Sequence, residues 1–159
     1  MLIPIAVENL SELKLKAGQS PRKRMNYNFH REPEDTFQRM LHVLNVGTYI
    51  QPHKHENPDK REVFIILQGR AAVLEFDDTG NVTGSVFLDH NKGNYGVEVP
   101  SRTWHTMIAL DNNTVVYEAK DGPYSPSSDK NFAPWAPREG EPLCSEYIEI
   151  LLSKINGDI

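Results

Sequence analysis

The sequence predicts an all-β fold of the sandwich or barrel type, with a short helix near each end of the chain. From residue 37 to residue 120, short runs rich in β-branched and aromatic residues recur, and turn residues separate them. A repeat of short strands every 8–12 residues or so is typical of sandwiches and barrels. This region lacks a helical crossover long enough to join parallel strands, which excludes the doubly wound α/β folds. The predicted strands are Phe37–Val46, Thr48–Gln51, Val63–Leu67, Ala71–Phe76, Val82–Leu88, Gly96–Val99, His105–Leu110 and Thr114–Lys120.

The length of 159 residues corresponds to one domain. A chain of this size buries roughly 68–70% of the surface that its unfolded form exposes, enough for a single core. We predict that residues 1–36 form a helix and a basic arm, that residues 37–120 form the barrel, and that residues 121–159 form a loop and a second helix. All three parts are expected to pack as one domain.

The first helix is predicted from its cap and its stop signal. Asn9 or Ser11 can cap it, and it is expected to end near Gly18. Its apolar residues Leu10, Leu13 and Leu15 are only loosely periodic.

A basic cluster follows this helix, formed by Arg22, Lys23 and Arg24, with Arg31 shortly after. Runs of like charge usually lie in solvent, so a solvated loop is the plainer interpretation. The functional interpretation is a clamp for a phosphate or carboxylate, because the guanidinium group presents a planar fork of donors that fits such anions.

The segment after Lys120 is rich in proline and serine, but Tyr124, Phe132 and Trp135 lie within it. Large aromatic side chains gain free energy by leaving water, so this segment is predicted to be an ordered loop and not a linker. Tyr124 and Trp135 either pack in the core or, if the loop covers the mouth of the barrel, present flat faces to a sugar ring.

A final helix is predicted from Pro142, with Gly157 just past its end. We expect it to pack on the outside of the barrel or against a second subunit. Its apolar stripe consists of Leu143, Tyr147, Ile148, Leu151, Leu152 and Ile155.

The bulk properties restrict the partners and the compartment. The net charge of −5 and the pI near 5.7 argue against nucleic acid, because phosphate binding needs a basic field. A single cysteine, Cys144, cannot form an internal disulfide, so we assign it a packing role. The apolar start of the chain lacks a basic leader, and the runs are too short to span a bilayer. We therefore expect a soluble cytoplasmic protein without a membrane partner.

Four residues form the most specific chemical pattern in the chain: His53, His55, Glu62 and His105. Side chains two residues apart on a strand point to the same face, so His53 and His55 can reach one ion. Imidazole nitrogen and carboxylate oxygen suit divalent zinc, iron, manganese or nickel, and the choice among them stays open. A set of four leaves one or two coordination positions for water or substrate. That distinguishes a catalytic or binding site from a closed structural site.

The glycines and prolines around these residues extend the pattern. Gly47, His53, His55, Glu62 and Gly69 form the run G-x5-H-x-H-x6-E-x6-G, and Pro100 precedes His105. This arrangement resembles the two motifs of the cupin superfamily, whose members are small jelly-roll β-barrels (double-stranded β-helices). In that superfamily two histidines and a glutamate of the first motif meet one histidine of the second at a metal.

Two features depart from the usual cupin pattern. The gap between His55 and Glu62 is longer than usual, and Arg102 stands where the second motif often has glycine. The extra residues 56–61 are typical of a lengthened hairpin turn, which keeps Glu62 on the inward face.

A closer resemblance, over about residues 20–140, is to the WbuC-type cupin-fold metalloproteins. It implies a cupin fold, a bound metal and an association with bacterial surface-polysaccharide gene clusters, but no agreed reaction. The residues that carry it are Ser20, Pro21, Arg22, Arg24, Asn28, His30, Gln38, Arg39, Gly47, Thr48, Tyr49, Pro52–His55, Thr103–Thr106, Gly122–Tyr124 and Phe132–Pro137.

Residues beside the metal are candidates for substrate binding. Arg39 shares a face of its predicted strand with Leu41 and Val43, so we expect it to project into the barrel. A guanidinium group there needs a ligand anion or a carboxylate such as Glu118. His42 lies on the opposite face, where a surface or dimer-contact role is expected.

Three further candidates surround the same site. Tyr49 and Gln51 share the parity of His53, so they are natural residues for the wall of the metal site. Tyr49 could donate a proton or a hydrogen bond there, although a packed tyrosine is the commoner outcome. His30 lies near the basic cluster and either contacts substrate at the mouth or is simply exposed. Arg24, within the cluster, is the arginine expected to hold an anion.

Two functions of different classes fit these residues. In the first, the protein is an isomerase, hydrolase or dioxygenase whose metal activates a small polar metabolite, such as a sugar or a sugar-derived acid. In the second, it is a non-catalytic sensor that binds such a ligand through the metal. A metal-free sugar-nucleotide epimerase of similar shape is disfavoured by the complete ligand set. The cupin resemblance makes a homodimer a reasonable expectation.

Overall fold

The computed structural model describes residues 2–155, which form two five-stranded antiparallel sheets and two α-helices. The prediction of an all-β fold with a short helix near each end is therefore confirmed. The elements are α1 (Val7–Gln19), β1 (Arg24–Asn28), β2 (Phe37–Leu44), β3 (His53–Lys54), β4 (Glu62–Gln68), β5 (Arg70–Phe76), β6 (Val82–Asp89), a 3-10 helix (His90–Lys92), β7 (Gly96–Val99), β8 (Trp104–Ala109), β9 (Thr114–Asp121), β10 (Asn131–Phe132) and α2 (Cys144–Ile155).

The strands alternate between two sheets, as in a jelly roll. Sheet 1 has the order β1-β2-β9-β4-β7, and sheet 2 has the order β10-β3-β8-β5-β6. Within residues 2–155 the sheets are separate hydrogen-bonded units, so the predicted barrel is a sandwich and not a closed cylinder. Because side chains alternate along each strand, each sheet has one face toward the other sheet and one face outward.

The inner faces meet in an apolar core. Leu44, Phe64 and Val116 of sheet 1 pack there with Val73 and Met107 of sheet 2. The strands continue past this core with polar inward residues, because the sequence of β4 and β9 changes from apolar to charged along the same face. The space between the sheets is therefore dry at one end and polar at the other.

The two helices cover the outer faces. Leu10, Leu13 and Ala17 of α1 pack on Leu41 and Val43 of β2. The helix begins at Val7 with Ala6 as its N-cap residue. The predicted cap was therefore wrong, because positions 9 and 11 lie inside the helix.

The second helix packs on sheet 2. Ile148, Leu151 and Ile155 contact the outward residues of β5, among them Ala72 and Leu74. This confirms the expected contact with the outside of the β structure. The predicted end at Gly157 lies outside the described residues. Within residues 2–155, neither α1 nor α2 has the length and apolar character needed to cross a lipid bilayer.

Three short strands, β1, β3 and β10, are missing from the predicted set, and one predicted strand is absent. β1 pairs with β2, and β10 pairs with β3, and all three are too short or too polar to show apolar alternation. The predicted strand Thr48–Gln51 is instead an irregular connection in the described chain. It follows a turn over residues 45–48, in which Gly47 has φ of +80° and the Thr48 N–H donates to Asn45 O at 3.0 Å.

Gly69 connects β4 to β5 in a left-handed conformation, with φ of +71°, and a Cβ atom there would lie 3.0 Å from the Thr114 Cα. We expect Gly69→Ala to lower the free energy of unfolding by about 2 kcal/mol or more, from backbone strain and the clash together. Gly93→Ala is the matched control, because Gly93 has φ of +81° and open space around its Cβ position. Urea denaturation should show a loss of only about 1 kcal/mol for that control. Equal losses would contradict the role of the Thr114 contact.

Candidate metal centre

The structure brings the four predicted ligands together at the polar end of the space between the sheets. His53 lies in β3 opposite His105 in β8, and His55 follows β3. Glu62 begins β4 on the facing sheet. The four side chains are buried, and one ligand atom from each lies within 4.8 Å of the others.

Backbone carbonyls fix the orientation of the three imidazole rings. The Nδ1–H groups of His53 and His105 donate to Gln51 O and Thr103 O, each at 2.9 Å. His55 Nδ1 donates to Asp129 O. A carbonyl oxygen only accepts, so each Nδ1 carries a proton, and in the neutral ring Nε2 then keeps a free lone pair. This is the tautomer of a histidine that binds a metal through Nε2.

Three buried atoms at this centre have no hydrogen-bond partner among the described residues: His55 Nε2, His105 Nε2 and Glu62 Oε1. Glu62 Oε1 lies 2.5 Å from His105 Nε2 and 3.4 Å from His55 Nε2. Buried polar atoms without partners are costly, and two imidazole lone pairs cannot bond a carboxylate oxygen. A cation between these atoms satisfies all of them, so the donor set fits a divalent metal.

Electrostatics keep His53 and Glu62 in the protonation states that ligation needs. Burial, with the nearby charge of Lys130, holds the pKa of His53 well below its usual range, so the ring is neutral. Burial raises the pKa of Glu62, but the contacts with His105 and His55 outweigh it and hold that pKa well below its usual range. The carboxylate is therefore ionised.

The centre opens into a cavity of about 680 Å³. His53, Glu62 and His105 form part of its wall, and Leu44, Phe64 and Met107 of the core also line it. A volume of this size accommodates a small organic ligand. The arrangement can therefore place a ligand directly beside the metal.

Three of the predicted substrate-binding residues line this cavity: Arg24, His30 and Glu118. Arg24 donates to Tyr49 O at 2.7 Å and to Glu139 at 2.8 Å. The anion that Arg24 binds is therefore the carboxylate of Glu139, within the protein itself. His30 Nδ1 lies 3.1 Å from both backbone atoms N and O of Arg39. Glu118 is buried and lies 2.7 Å from His42 Nε2.

The two faces of β2 are the reverse of the prediction. His42 lines the cavity, whereas Arg39 is absent from the described residues of its wall. Arg39 instead donates to Asp35 Oδ2 at 3.1 Å, and Leu41 on the same face packs under α1. Leu41 and Val43 face α1. The alternate residues of β2 face the cavity, namely Gln38, Met40, His42 and Leu44, so choosing the face of Leu41 and Val43 as inward gave the wrong side.

Tyr49 and Gln51 do not share the cavity face of His53, because the chain before β3 is irregular. Tyr49 is buried against α2, and its hydroxyl donates to Pro137 O at 2.7 Å. Gln51 supplies the carbonyl that orients His53. Sequence parity was misleading here because it assumed a strand that the described chain lacks.

An ionic cluster behind His55 was missed in the sequence. Asp129 accepts from Lys60 Nζ at 2.7 Å on one oxygen and from Lys120 Nζ at 2.8 Å on the other, and all three residues are buried. The carbonyl of Asp129 also accepts from His55. Lys120 shares the inward parity of Glu118 on β9, which was a usable signal. Asp129 lies in a loop, where no periodicity marks it.

Arg102 adopts the left-handed conformation that glycine favours, with φ of +66°. Its N–H donates to His55 O at 3.0 Å, and its guanidinium group bonds Asp59 at 2.9 Å. The turn before His105 therefore persists although arginine replaces the usual glycine.

Trp135 packs against Phe76 and Trp104, with ring centroids 5.1 Å and 6.1 Å apart. It belongs to the cluster beneath α2, so packing is its role. Tyr124 is partly exposed and lines the cavity.

The fold and the site together define a jelly-roll sandwich with a buried His/Glu cluster suited to a divalent metal. The sequence matches the family described as "Domain of unknown function (DUF6016)" over residues 5–88, and the chain belongs to that family. No curated protein matches the sequence.

Solved structures share the fold at low identity. CapF, a capsular polysaccharide assembling protein from Staphylococcus aureus, has a TM-score of 0.57 and 18% identity over 67% of this chain and 28% of its own. CapF with the inhibitor 3-isopropenyl-tropolone gives 0.55 and 19% over 67% and 31%. A structure described under the DMSP lyases RdDddP and RnDddQII gives 0.51 and 13% over 69% and 52%. This chain thus spans less than a third of CapF.

Removal of the Asp129 carboxylate should leave Lys60 buried without a counterion and Lys120 with only its 3.8 Å contact to Glu118. We expect Asp129→Ala to lower the free energy of unfolding by about 3–5 kcal/mol, the usual loss when one partner of a buried ion pair is removed. The control is Asp111→Ala, which breaks the exposed pair with Arg70 and should cost at most about 1 kcal/mol. Chemical denaturation of both variants measures the difference, and equal losses would refute the role given to the buried cluster.

Arg102→Gly and Arg102→Ala both remove the ion pair with Asp59. Their stabilities should nevertheless differ, because the backbone at this position has a positive φ. Arg102→Gly should be more stable than Arg102→Ala by about 1 kcal/mol, because glycine adopts positive φ without steric cost. Thermal and urea denaturation of the two variants give this difference directly. An alanine variant as stable as the glycine variant would show that the turn is not strained.

Proposed function

We propose that this protein is a metal-dependent cupin that binds or converts a small polar metabolite, either a sugar or a sugar-derived acid. The observation that carries this proposal is the convergence of ligand atoms without hydrogen-bond partners from His55, His105 and Glu62, of which His105 and Glu62 line an open cavity. Structural metal sites are closed, whereas this one has space for a ligand beside it.

His53, His55, Glu62 and His105 would hold the metal, which would be zinc, iron, manganese or nickel. When bound, a divalent metal polarises a carbonyl or hydroxyl group of a ligand. The carbonyls of Gln51, Thr103 and Asp129 keep the three rings in place. An isomerase, a hydrolase or a dioxygenase could each use such a site.

The other residues of the cavity wall would orient the bound ligand. The paired side chains of His42 and Glu118 present a hydrogen-bonding surface on sheet 1, and Asn26 and Asn28 of β1 add amide groups. Polar groups of this kind, fixed on strands, suit a hydroxylated ligand better than an apolar one. Of the predicted contacts, Glu118, Arg24 and His30 stay in the proposal.

The cellular setting is proposed from resemblance. The WbuC-like motifs favour a link to surface polysaccharide, and the fold resembles that of CapF, itself described as a capsular polysaccharide assembling protein. A cytoplasmic location, a homodimer and the division of the chain at residues 36 and 120 belong to the same proposal. A non-catalytic sensor of the same ligand class is the alternative function.

The proposal predicts a defined metal content. Protein purified without chelators or a metal-affinity tag should hold close to one metal per chain, measured by elemental analysis. His105→Ala should weaken metal binding by more than about 100-fold, beyond the 10–100-fold typical of residues that only orient a ligand. His90→Ala is the matched control, because His90 lies in the 3-10 helix, outside the cavity. Wild-type affinity in the His105 variant would refute the site.

Turnover separates the enzyme from the sensor. The metal-loaded protein is incubated with a panel of sugars, sugar acids and keto acids, and product formation is followed by mass spectrometry. We expect turnover that chelation abolishes and one metal restores. Saturable binding with no product would instead establish the sensor.

A further inference from the structure

The wall of the cavity carries more cations than the acidic protein as a whole would suggest. Arg22, Arg24, Arg31, Lys120 and Lys130 all line it, although the chain has a net charge of −5. Most of these cations are neutralised by the protein itself. Arg22 and Arg24 share Glu139, and Lys120 shares Asp129 with Lys60.

Lys130 differs from its neighbours. Among the described residues, no carboxylate oxygen lies within 4.0 Å of its Nζ atom. The adjacent Asp129 cannot serve, because each of its oxygens already accepts from a lysine. Glu118 is engaged by His42, and Glu62 belongs to the metal centre. Lys130 is thus a cavity cation whose nearby acids are all occupied.

Lys130 also lies in electrostatic range of the metal centre. Its charge contributes to the lowered pKa of His53, and Glu118 and Glu62 act on its own pKa. The side chain of Lys130 is exposed and lines the open cavity. Burial by the surrounding cavity wall lowers its pKa. Arg31 is also unpaired in the described residues, but no comparable interaction connects it to the ligands of the metal.

We propose that Lys130 binds an oxyanion group of the ligand beside the metal, so that the ligand is an acidic sugar derivative and not a neutral sugar. This inference rests on the proposed function and narrows its ligand class. An ammonium group that faces the cavity without a carboxylate within 4.0 Å can form a charged hydrogen bond with an incoming anion. Lysine acts as a compact point charge, so a carboxylate and a phosphate share the required chemistry.

The test uses probes that differ in one group. D-gluconate is compared with D-glucitol, which has the same carbon skeleton without the carboxylate. D-glucose 6-phosphate is compared with D-glucose, so the two pairs distinguish a carboxylate from a phosphate. Binding to the metal-loaded and the metal-free full-length protein is measured by titration calorimetry.

We expect at least one anionic probe to bind the metal-loaded protein more tightly than its neutral partner. Lys130→Met should reduce that preference by about 10- to 100-fold, the effect of losing one charged hydrogen bond. Lys130→Arg should restore most of it. Lys154→Met is the matched control, since Lys154 is an exposed lysine in α2, and it should leave the preference unchanged. Neutral probes should bind all variants alike.

The outcomes separate this inference from the proposed function. Binding of an acid that needs the metal but is unchanged in Lys130→Met would overturn the role of Lys130 and leave the metal-dependent function standing. Loss of acid binding in Lys130→Met without any dependence on metal would support Lys130 and contradict the proposed function. Failure of every acidic probe to bind the metal-loaded wild type, or equal binding of the neutral partners, would overturn the inference. Circular dichroism of each variant verifies that it is folded.

Discussion

Three hydrogen bonds from imidazole Nδ1–H groups to backbone carbonyls determine what this site can do. The acceptors are the carbonyls of Gln51, Thr103 and Asp129. Because a carbonyl accepts but does not donate, each bond selects the tautomer and aims the opposite nitrogen at the centre. Backbone atoms move less than side chains, so the ring orientations follow from the path of the chain itself. The loop that contains Asp129 is therefore as much a part of the centre as the strands that carry the histidines.

The space between the sheets is apolar at one end, which stabilises the fold, and polar at the other end, which carries the candidate site. The apolar residues of the inner faces form a dry core at one end, while charged residues on the same faces line the cavity at the other. Because polar residues occupy one end, the inner faces of the sheets bury less apolar surface than a fully apolar sandwich would. The two helices add buried apolar surface, because each one covers the outer face of a sheet. Without the helices, each sheet would bury apolar residues on its inner face alone.

The sequence predicted the ligands better than their surroundings, for a physical reason. His53, His55, Glu62 and His105 are marked by residue type and spacing, which do not depend on the details of packing. The face of β2 was assigned wrongly because apolar residues were expected to point between the sheets, whereas Leu41 and Val43 point to α1. The expectation that the apolar face of a strand points between the sheets fails wherever the polar face lines a cavity. Asp129 escaped detection because its role depends on a loop contact with His55, 74 residues distant along the chain, and no local pattern encodes such a contact.

The buried charges of this end form one connected system. Asp129 binds two buried lysines, Glu118 binds His42, and Glu62 faces the three imidazoles. Burial alone would raise the pKa of each of these acids, yet all three have a lowered pKa because cationic or imidazole partners outweigh the loss of hydration. Every acid of this cluster is ionised, and each one faces a lysine, a histidine or the metal centre. Lys130 has no carboxylate oxygen within 4.0 Å among the described residues, and its charge faces the open cavity next to the centre. The same pairing that stabilises the polar end of the sandwich therefore leaves Lys130 available to an anionic ligand beside the metal centre.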